Sequence, residues 1–295
     1  MKYLLLNYIL LTFCVVPVQG FIATNGIQHS RIQWSTPQVG SRTALAVTGK
    51  GSASSTIPKS PAERDQQAIQ AIQAAIKSPK TPSLPLVECE FPPLAALNKL
   101  GDGSLRSANL VDDANLAFGA KLVKALSPIF FGPKVWFFTS STSSINFMDK
   151  AMKTIKGAQA IVSLRDGIPE GIGKGDVCIV MAPSVRQDYI MARDLATRNP
   201  VVLVNGVAKD QKSVGGDATM AYFLKPLTYN SQVVGYLVRN YPKDWTTIDS
   251  VSQEILATYR DSDILFGNTN TPDLRDPGKR VQKSVDDRAI RARQR

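Results

Sequence analysis

The sequence predicts an α/β domain: a single three-layer unit with a mostly parallel mixed sheet, helices on both faces and an antiparallel C-terminal portion. Three observations predict it. Residues 134–139, 160–164, 177–181 and 201–204 are short runs that are apolar at successive positions, as strands covered on both faces are. Helical patterns separate most of these runs, which is the alternation that builds a parallel sheet. Beyond residue 218 the pattern changes to short strands joined by turns, at 219–224, 233–239 and 244–248, which reads as antiparallel. No linker-like stretch divides 60–265 and there is no internal repeat, so one domain fits better than two.

The elements follow in order. Ser60-Pro61-Ala62-Glu63 reads as a capping box with proline at the first helical position. The helix it opens carries Ala68, Ile69, Ile72 and Ile76 on one face and ends before Pro79. In a strand at 86–91, Val87, Cys89 and Phe91 alternate with charge until Pro92-Pro93 stops it. A helix over 109–126 has Asp112 and Asp113 early and Lys121 and Lys124 late, as the helix dipole prefers. Its apolar stripe is Leu110, Ala114, Ala117, Phe118, Leu122 and Ala125. A third helix, 144–156, is expected to bury Ile145, Met148, Met152 and Ile155, with Gly157 as terminator. Ser184 and Gln187 suggest a capping box for a helix running to Arg198, which Asn199-Pro200 breaks. Asp249 is expected to cap a closing helix over 250–260, with Val251, Ile255 and Tyr259 on one side.

The chain has 295 residues, 43% hydrophobic and 20% charged, with a formal charge of +11. That excludes collagen-like, disulfide-dense and wholly disordered proteins. The charge sits at the ends. Residues 1–62 contain five basic residues and no acid, and 271–295 contain eight basic against four acidic residues. The middle is nearly balanced, so no nucleic-acid partner is expected. Lys2, the apolar run Tyr3–Val18 and the small residues of Val18-Gln19-Gly20 form the pattern of a signal peptide over 1–20. A membrane anchor is the competing reading; the run is short of the ~20 residues a span needs. Residues 21–59 hold eleven Ser or Thr, four basic residues and no acid, which is transit-peptide composition; a disordered secreted amino terminus is the alternative. The polar, basic segment 266–295 is expected to be a disordered tail, or else an arm that touches an anionic membrane or an acidic partner.

His29, the one histidine, falls in the presequence. A mature chain without it excludes Ser-His-Asp and Cys-His catalysis and histidine metal ligands. Cys14 goes with the signal peptide, and the remaining Cys89 and Cys178 are too few for an all-cysteine zinc site or a disulfide framework. The expectation is no catalytic residue, no metal and no cofactor. The Gly-rich loop 166–175 fails as a phosphate loop: Ile168 stands at the first glycine position, Gly175 follows Lys174, and a strand comes next instead of a helix. The serine-rich run 139–144 is more suggestive. It follows a strand and precedes a helix, and ligands of wound sheets bind at such edges. Ser140, Ser141, Ser143 and Ser144, with Ser184 and Asn205 at the ends of other strands, are the candidate ligand edge; helix capping and loop filling are the plain alternative. Arg239, Tyr241, Pro242 and Trp245 bring arginine and aromatics together, as protein-recognition patches do, although Trp245 also suits core packing.

The segment Pro200-Val-Val-Leu-Val-Asn205, the strand Tyr236-Leu-Val-Arg239 and the following Tyr241-Pro242-x-x-Trp245 resemble the plant and algal family called domain of unknown function 1995. So does the order of elements from Ser60 to Tyr259. The chain departs at Gly206, where the family would carry proline. The presequence resembles the bipartite targeting segments of algae with complex plastids, which place a phenylalanine where Phe21 stands. The family's best-described members form the low photosystem II accumulation protein 3 group. The resemblance implies a plastid protein of the stroma or the stromal thylakoid face. It implies a photosystem II assembly factor that helps the core antenna subunit CP43 join the complex; the charge of the tail separately suggests a peripheral thylakoid contact there. It carries over no catalytic residue. The alternative is a plastid enzyme or a protein that binds a nucleotide or phosphometabolite at the serine-lined edge.

Overall fold

The computed structural model describes residues 55–93, 105–128, 132–207, 216–267 and 269–294. The signal peptide, His29 and all but the last few residues of the transit segment lie outside them. The described residues belong to one unit, Lys50–Arg295.

Among the described residues nine strands form one sheet: β1 (Leu86–Glu90), β2 (Val135–Thr139), β3 (Ala160–Ser163), β4 (Val177–Met181), β5 (Val201–Val204), β6 (Thr219–Tyr229), β7 (Gln232–Asn240), β8 (Trp245–Asp249) and β9 (Ile255–Tyr259). Their order is β3-β2-β4-β5-β1-β6-β7-β8-β9. Every pairing from β3 to β6 is parallel, and β6 to β9 are antiparallel. The predicted fold class is the observed one.

Three helices cover one face: α1 (Pro61–Lys77), α2 (Leu105–Leu126) and α3 (Ile145–Thr154). Ser60 caps α1 by accepting from the Glu63 N–H (3.1 Å). On the other face α4 (Arg186–Ala196) covers the parallel strands with Tyr189, Ala192 and Leu195. The short α5 (Asp261–Ile264) and the long α6 (Arg275–Arg293) cover the antiparallel strands. Among the described residues no helix is long and apolar enough to cross a membrane.

Several expectations are corrected. Of the residues expected inside on the third helix, Ile155 at its C-cap is buried and Met148 half-buried, but Ile145 and Met152 are exposed, and Phe147 and Ala151 are buried instead. Both sets have helical period, and Ala151, fully buried, allows close approach to the sheet. In α2 the inward residues are Leu116, Phe118, Leu122 and Val123, and Leu110 faces out. The charge alternation of β1 does not mark a solvent face: Glu88 is buried, and Asn270 donates to its carboxylate (2.6 Å). The N-cap of α4 is Val185, not Ser184.

The closing helix expected over 250–260 is a turn followed by β9. Asp249 accepts from the N–H groups of Val251 (2.8 Å) and Ser252 (2.9 Å), the bonds a helix cap would make, but Gln253 adopts φ 59° and the chain returns as a strand. The tail expected to be disordered contains α6, which buries Pro277 and Val281 against the sheet.

Candidate functional site

The chain leaves β2 through α3 toward β3, and leaves β4 through α4 toward β5 on the opposite face. Right-handed crossovers require this: helices on opposite faces carry the chain in opposite directions. β2 and β4 are neighbours whose outgoing connections diverge, so a crevice opens between their carboxyl ends. This is the topological switch point, where wound sheets place ligands.

The structure brings the serines to that crevice. The Ser140 and Ser184 hydroxyls share a hydrogen bond (2.6 Å), Thr142 Oγ1 lies 3.0 Å from Ser140 Oγ, and Thr142 Oγ1 also touches Ser184 Oγ. Beneath them lies Asp188, on the first turn of α4 and fully buried. Its Oδ2 accepts from Ser140 Oγ (2.7 Å) and the Ser184 N–H (2.9 Å), and its Oδ1 from the Ser141 N–H (3.0 Å). Burial alone would raise this carboxyl; the hydrogen bonds from Ser141, Ser184 and Ser140 outweigh it and hold the group below the usual carboxylate range. Arg165 closes the outer side, with Nε donating to the Ser141 carbonyl (2.9 Å) and Nη2 to that of Ser143 (3.3 Å).

Of the other predicted edge residues, Ser144 caps α3 by accepting from the Phe147 N–H (3.1 Å), and Ser143 lends its backbone to the loop. Asn205 is not part of the cluster. Its Oδ1 accepts from the Phe91 N–H (2.9 Å) and its Nδ2 donates to Asn115 (2.8 Å) of α2, on the other side of the sheet from Ser140. Sequence reasoning missed Asp188 and Arg165. For Asp188 the signal is present in the sequence: a carboxylate three positions into a helix is a capping signature, one residue on from the expected Gln187.

The arrangement is a self-satisfied hydroxyl–carboxylate cluster. A buried carboxyl held ionised is a weak general base, since proton uptake is resisted. Among the described residues the thiols of Cys89 and Cys178 are no better placed as nucleophiles: both are buried, and burial, with Asp176 nearby, pushes Cys178 up to about 12. Among the described residues no group of three or more His, Cys, Asp or Glu side chains is placed to hold a metal ion. The glycine-rich loop serves as a strand connection tied down by Asp176, which accepts from Gly173 N–H (2.9 Å), Lys134 N–H (2.9 Å) and Trp136 Nε1 (3.0 Å).

The residues expected to form a recognition surface are mostly interior. Trp245 is 0% and Arg239 6% exposed. Trp245 donates to Asp261 Oδ1 (2.8 Å), which also faces Arg239 Nη2 (3.6 Å); the guanidinium lies over the Trp245 ring (5.6 Å). Burial pulls Arg239 below its ordinary value, with Asp261 opposing. Tyr241 is half-buried and donates to the Ser78 carbonyl (2.6 Å); only Pro242 is exposed. The group packs the β7–β8 corner because Arg239 and Trp245 both point at the face that α5 covers, so the aromatic–arginine spacing reports core packing.

A doubly wound parallel sheet with its switch point at β2 and β4, extended by four antiparallel-paired strands, defines the class of protein. The chain belongs to the family described as Domain of unknown function (DUF1995), whose model matches residues 58–260. No curated protein and no solved structure matches the chain.

Proposed function

We propose that the chain is a non-catalytic plastid assembly factor that assists photosystem II biogenesis by transient protein binding, its partner the CP43 core antenna subunit or an intermediate containing it. The observation that carries this reading is Asp188. At the switch point, where a wound-sheet enzyme would seat an anionic substrate, the chain's own carboxylate takes the Ser141 and Ser184 N–H groups and the Ser140 hydroxyl. A fold whose binding edge is occupied from within works through its surface. That surface has an apolar stripe on α3, where Ile145 is 79% and Met152 51% exposed two turns apart. A hydrophobic membrane subunit suits such a stripe. The composition of the targeting segments supports a place in the plastid stroma or at the stromal thylakoid face, and exposed Lys279, Lys283 and Arg293 of α6 suit a contact with an anionic thylakoid surface.

The test is an Ile145→Lys, Met152→Lys double variant expressed in plastids. CP43 co-purification and photosystem II accumulation should fall while the purified variant melts within a few degrees of the unaltered chain. Co-purification equal to that of the unaltered chain would remove α3 as the surface. Normal photosystem II in cells lacking the protein would remove the function.

One observation favours a second reading: three hydroxyls, Ser140, Thr142 and Ser184, converge at the crevice. A small ligand bound there would raise the melting temperature by mass action. A thermal-shift series with nucleotides and sugar phosphates checks it, and a shift abolished by Ser184→Ala would favour the ligand reading over the assembly factor.

A further inference from the structure

The loops that enter β1 and β6, the C-terminal half of α4 and the short α5 enclose a cleft of about 570 Å³, whose lining includes Lys80, Arg193, Gly216, Asp217, Asp261 and Leu265. It lies at the amino ends of the parallel strands, the opposite edge of the sheet from the switch point. Its size is that of a small-molecule site. Two ion pairs stand in its wall, and they differ. Arg193 donates twice to Asp217 (3.1 and 2.8 Å), so the two charges satisfy each other. Lys80 and Asp261 are not joined in this way. Lys80 Nζ stands 3.8 Å from Asp261 Oδ2, beyond hydrogen-bond length, and donates to the Gly216 carbonyl (2.8 Å), which leaves it N–H donors to spare.

A second observation comes from Arg239, which faces the same carboxylate. The residue is only 6% exposed, yet its Nε is buried with no hydrogen-bond partner, and its Nη2 stands 3.6 Å from Asp261 Oδ1, an oxygen already taken by Trp245 Nε1 (2.8 Å). A guanidinium carries five N–H donors, and a native fold rarely buries one with its donors unmet. The Tyr241 and Trp245 rings beside it use its length and flat face, which does not account for the unmet donors. The open Lys80 ammonium and the unmet guanidinium thus converge on Asp261. Lys80, Arg193 and Arg239 stand against Asp217 and Asp261, so the group has one positive charge in excess.

We propose that the cleft binds a small organic acid with an amino or hydroxyl group on the carbon beside its carboxylate. The carboxylate takes the spare donors of Lys80 and Arg239, and the neighbouring amino or hydroxyl group donates to Asp261 Oδ2. Groups on adjacent carbons are close enough together to serve a cation and an anion 3.8 Å apart. Leu265 and the remaining volume receive the rest of the molecule. Phosphate esters fit less well, because their second negative charge would face Asp217 and Asp261. This inference goes beyond the photosystem reading and does not depend on it.

The probes are the common α-amino acids together with glycolate, lactate and malate, added singly to the purified full chain in a thermal-shift series. At about ten times its dissociation constant, a bound acid should raise the melting temperature by roughly 3 °C. The methyl ester of that acid, which lacks the carboxylate, should give no shift, and the analogue lacking the amino or hydroxyl group should bind at least tenfold more weakly. Arg239→Met should abolish the shift. Lys80→Met, at an exposed position that leaves the core untouched, should weaken binding at least tenfold. Ser184→Ala, at the other edge of the sheet, should leave it unchanged. No shift with any of the acids would overturn the proposal. So would a shift that survives both Lys80→Met and Arg239→Met, one abolished by Ser184→Ala, or an equal shift with inorganic phosphate.

Discussion

At the scale of single residues, the strongest constraint is a buried charge with its donors gathered round it. Asp188→Ala would leave the Ser141 and Ser184 N–H groups and the Ser140 hydroxyl without their acceptor, at a cost of about 3 kcal/mol in urea unfolding. Asp188→Asn keeps one acceptor oxygen but turns an amide N–H₂ on donors, and should cost roughly 2 kcal/mol. Because the Asp188 carboxyl is held below its unfolded value, its contribution is complete above the ordinary carboxylate range and is lost as the pH falls. The gap between unaltered chain and Asp188→Asn should therefore close on acidification. Arg239 behaves differently. It is buried beside a half-exposed Asp261, so Arg239→Met, which keeps volume and removes the desolvated charge, should fall within about 1 kcal/mol of the unaltered chain. Asp261→Ala, which strands the guanidinium and the Trp245 indole N–H, should cost about 2 kcal/mol or more. If Arg239→Met proved the worse of the two, the arginine would have a role outside packing.

Elements show where sequence patterns carry information and where they run out. The parallel strands were legible because a run such as Val177–Met181 has no polar side chain to turn outward. The face of α3 was legible only at its end: Ile155 is buried as expected, but Ile145/Met152 and Phe147/Ala151 both have helical spacing, and tertiary contacts bury the second pair. β9 was hidden because an acid that caps a turn makes the same backbone bonds as one that caps a helix. α6 was hidden because a helix with two inward residues has no stripe to detect. The serine cluster was legible by position after a strand, and its central acid was not, because a polar residue in a first helical turn is ordinarily solvated. Asp249 gives α6 a pH dependence. The Arg288 and Ser284 hydrogen bonds and the turn N–H groups overcome burial and hold its carboxyl at about 2, against about 4 when unfolded. The ionised carboxylate, which holds both the α6 side chains and the turn N–H groups, is fully present above about pH 4 and is lost as the pH falls toward 2, and the fastening of α6 is lost over the same window. Hydrogen exchange across pH 5 to 2 should show α6 amides losing protection ahead of those in β1–β5; simultaneous loss would mean that Asp249 does not fasten α6 as a separate piece.

The whole molecule joins two kinds of sheet, and the junction decides whether it behaves as one body. β1 pairs β5 on one side and β6 on the other, both parallel, so the antiparallel strands continue the hydrogen-bonded ladder instead of starting a second one. α1 seals the seam. Its Ala68, Ala71, Ile72 and Ala75 belong to the core cluster that contains Val87 of β1, Tyr222 and Leu224 of β6 and Val238 of β7. The same cluster runs on to Phe137 of β2 and Ile248 of β8, so no plane separates the halves without exposing it. Nature has placed one indole in each half: Trp136 packs in the α4 cluster and Trp245 in the α6 cluster. In a Trp34→Phe background, Trp136→Phe and Trp245→Phe chains each report on one half. Their urea transitions, each referred to far-ultraviolet circular dichroism of the same chain, should coincide in midpoint and slope, because a shared core cannot be half lost. A Trp245 signal that moved at lower urea than the dichroism of the same chain would place a break at the β1–β6 seam. Coincidence would make the antiparallel strands an integral part of the unit that the family match spans.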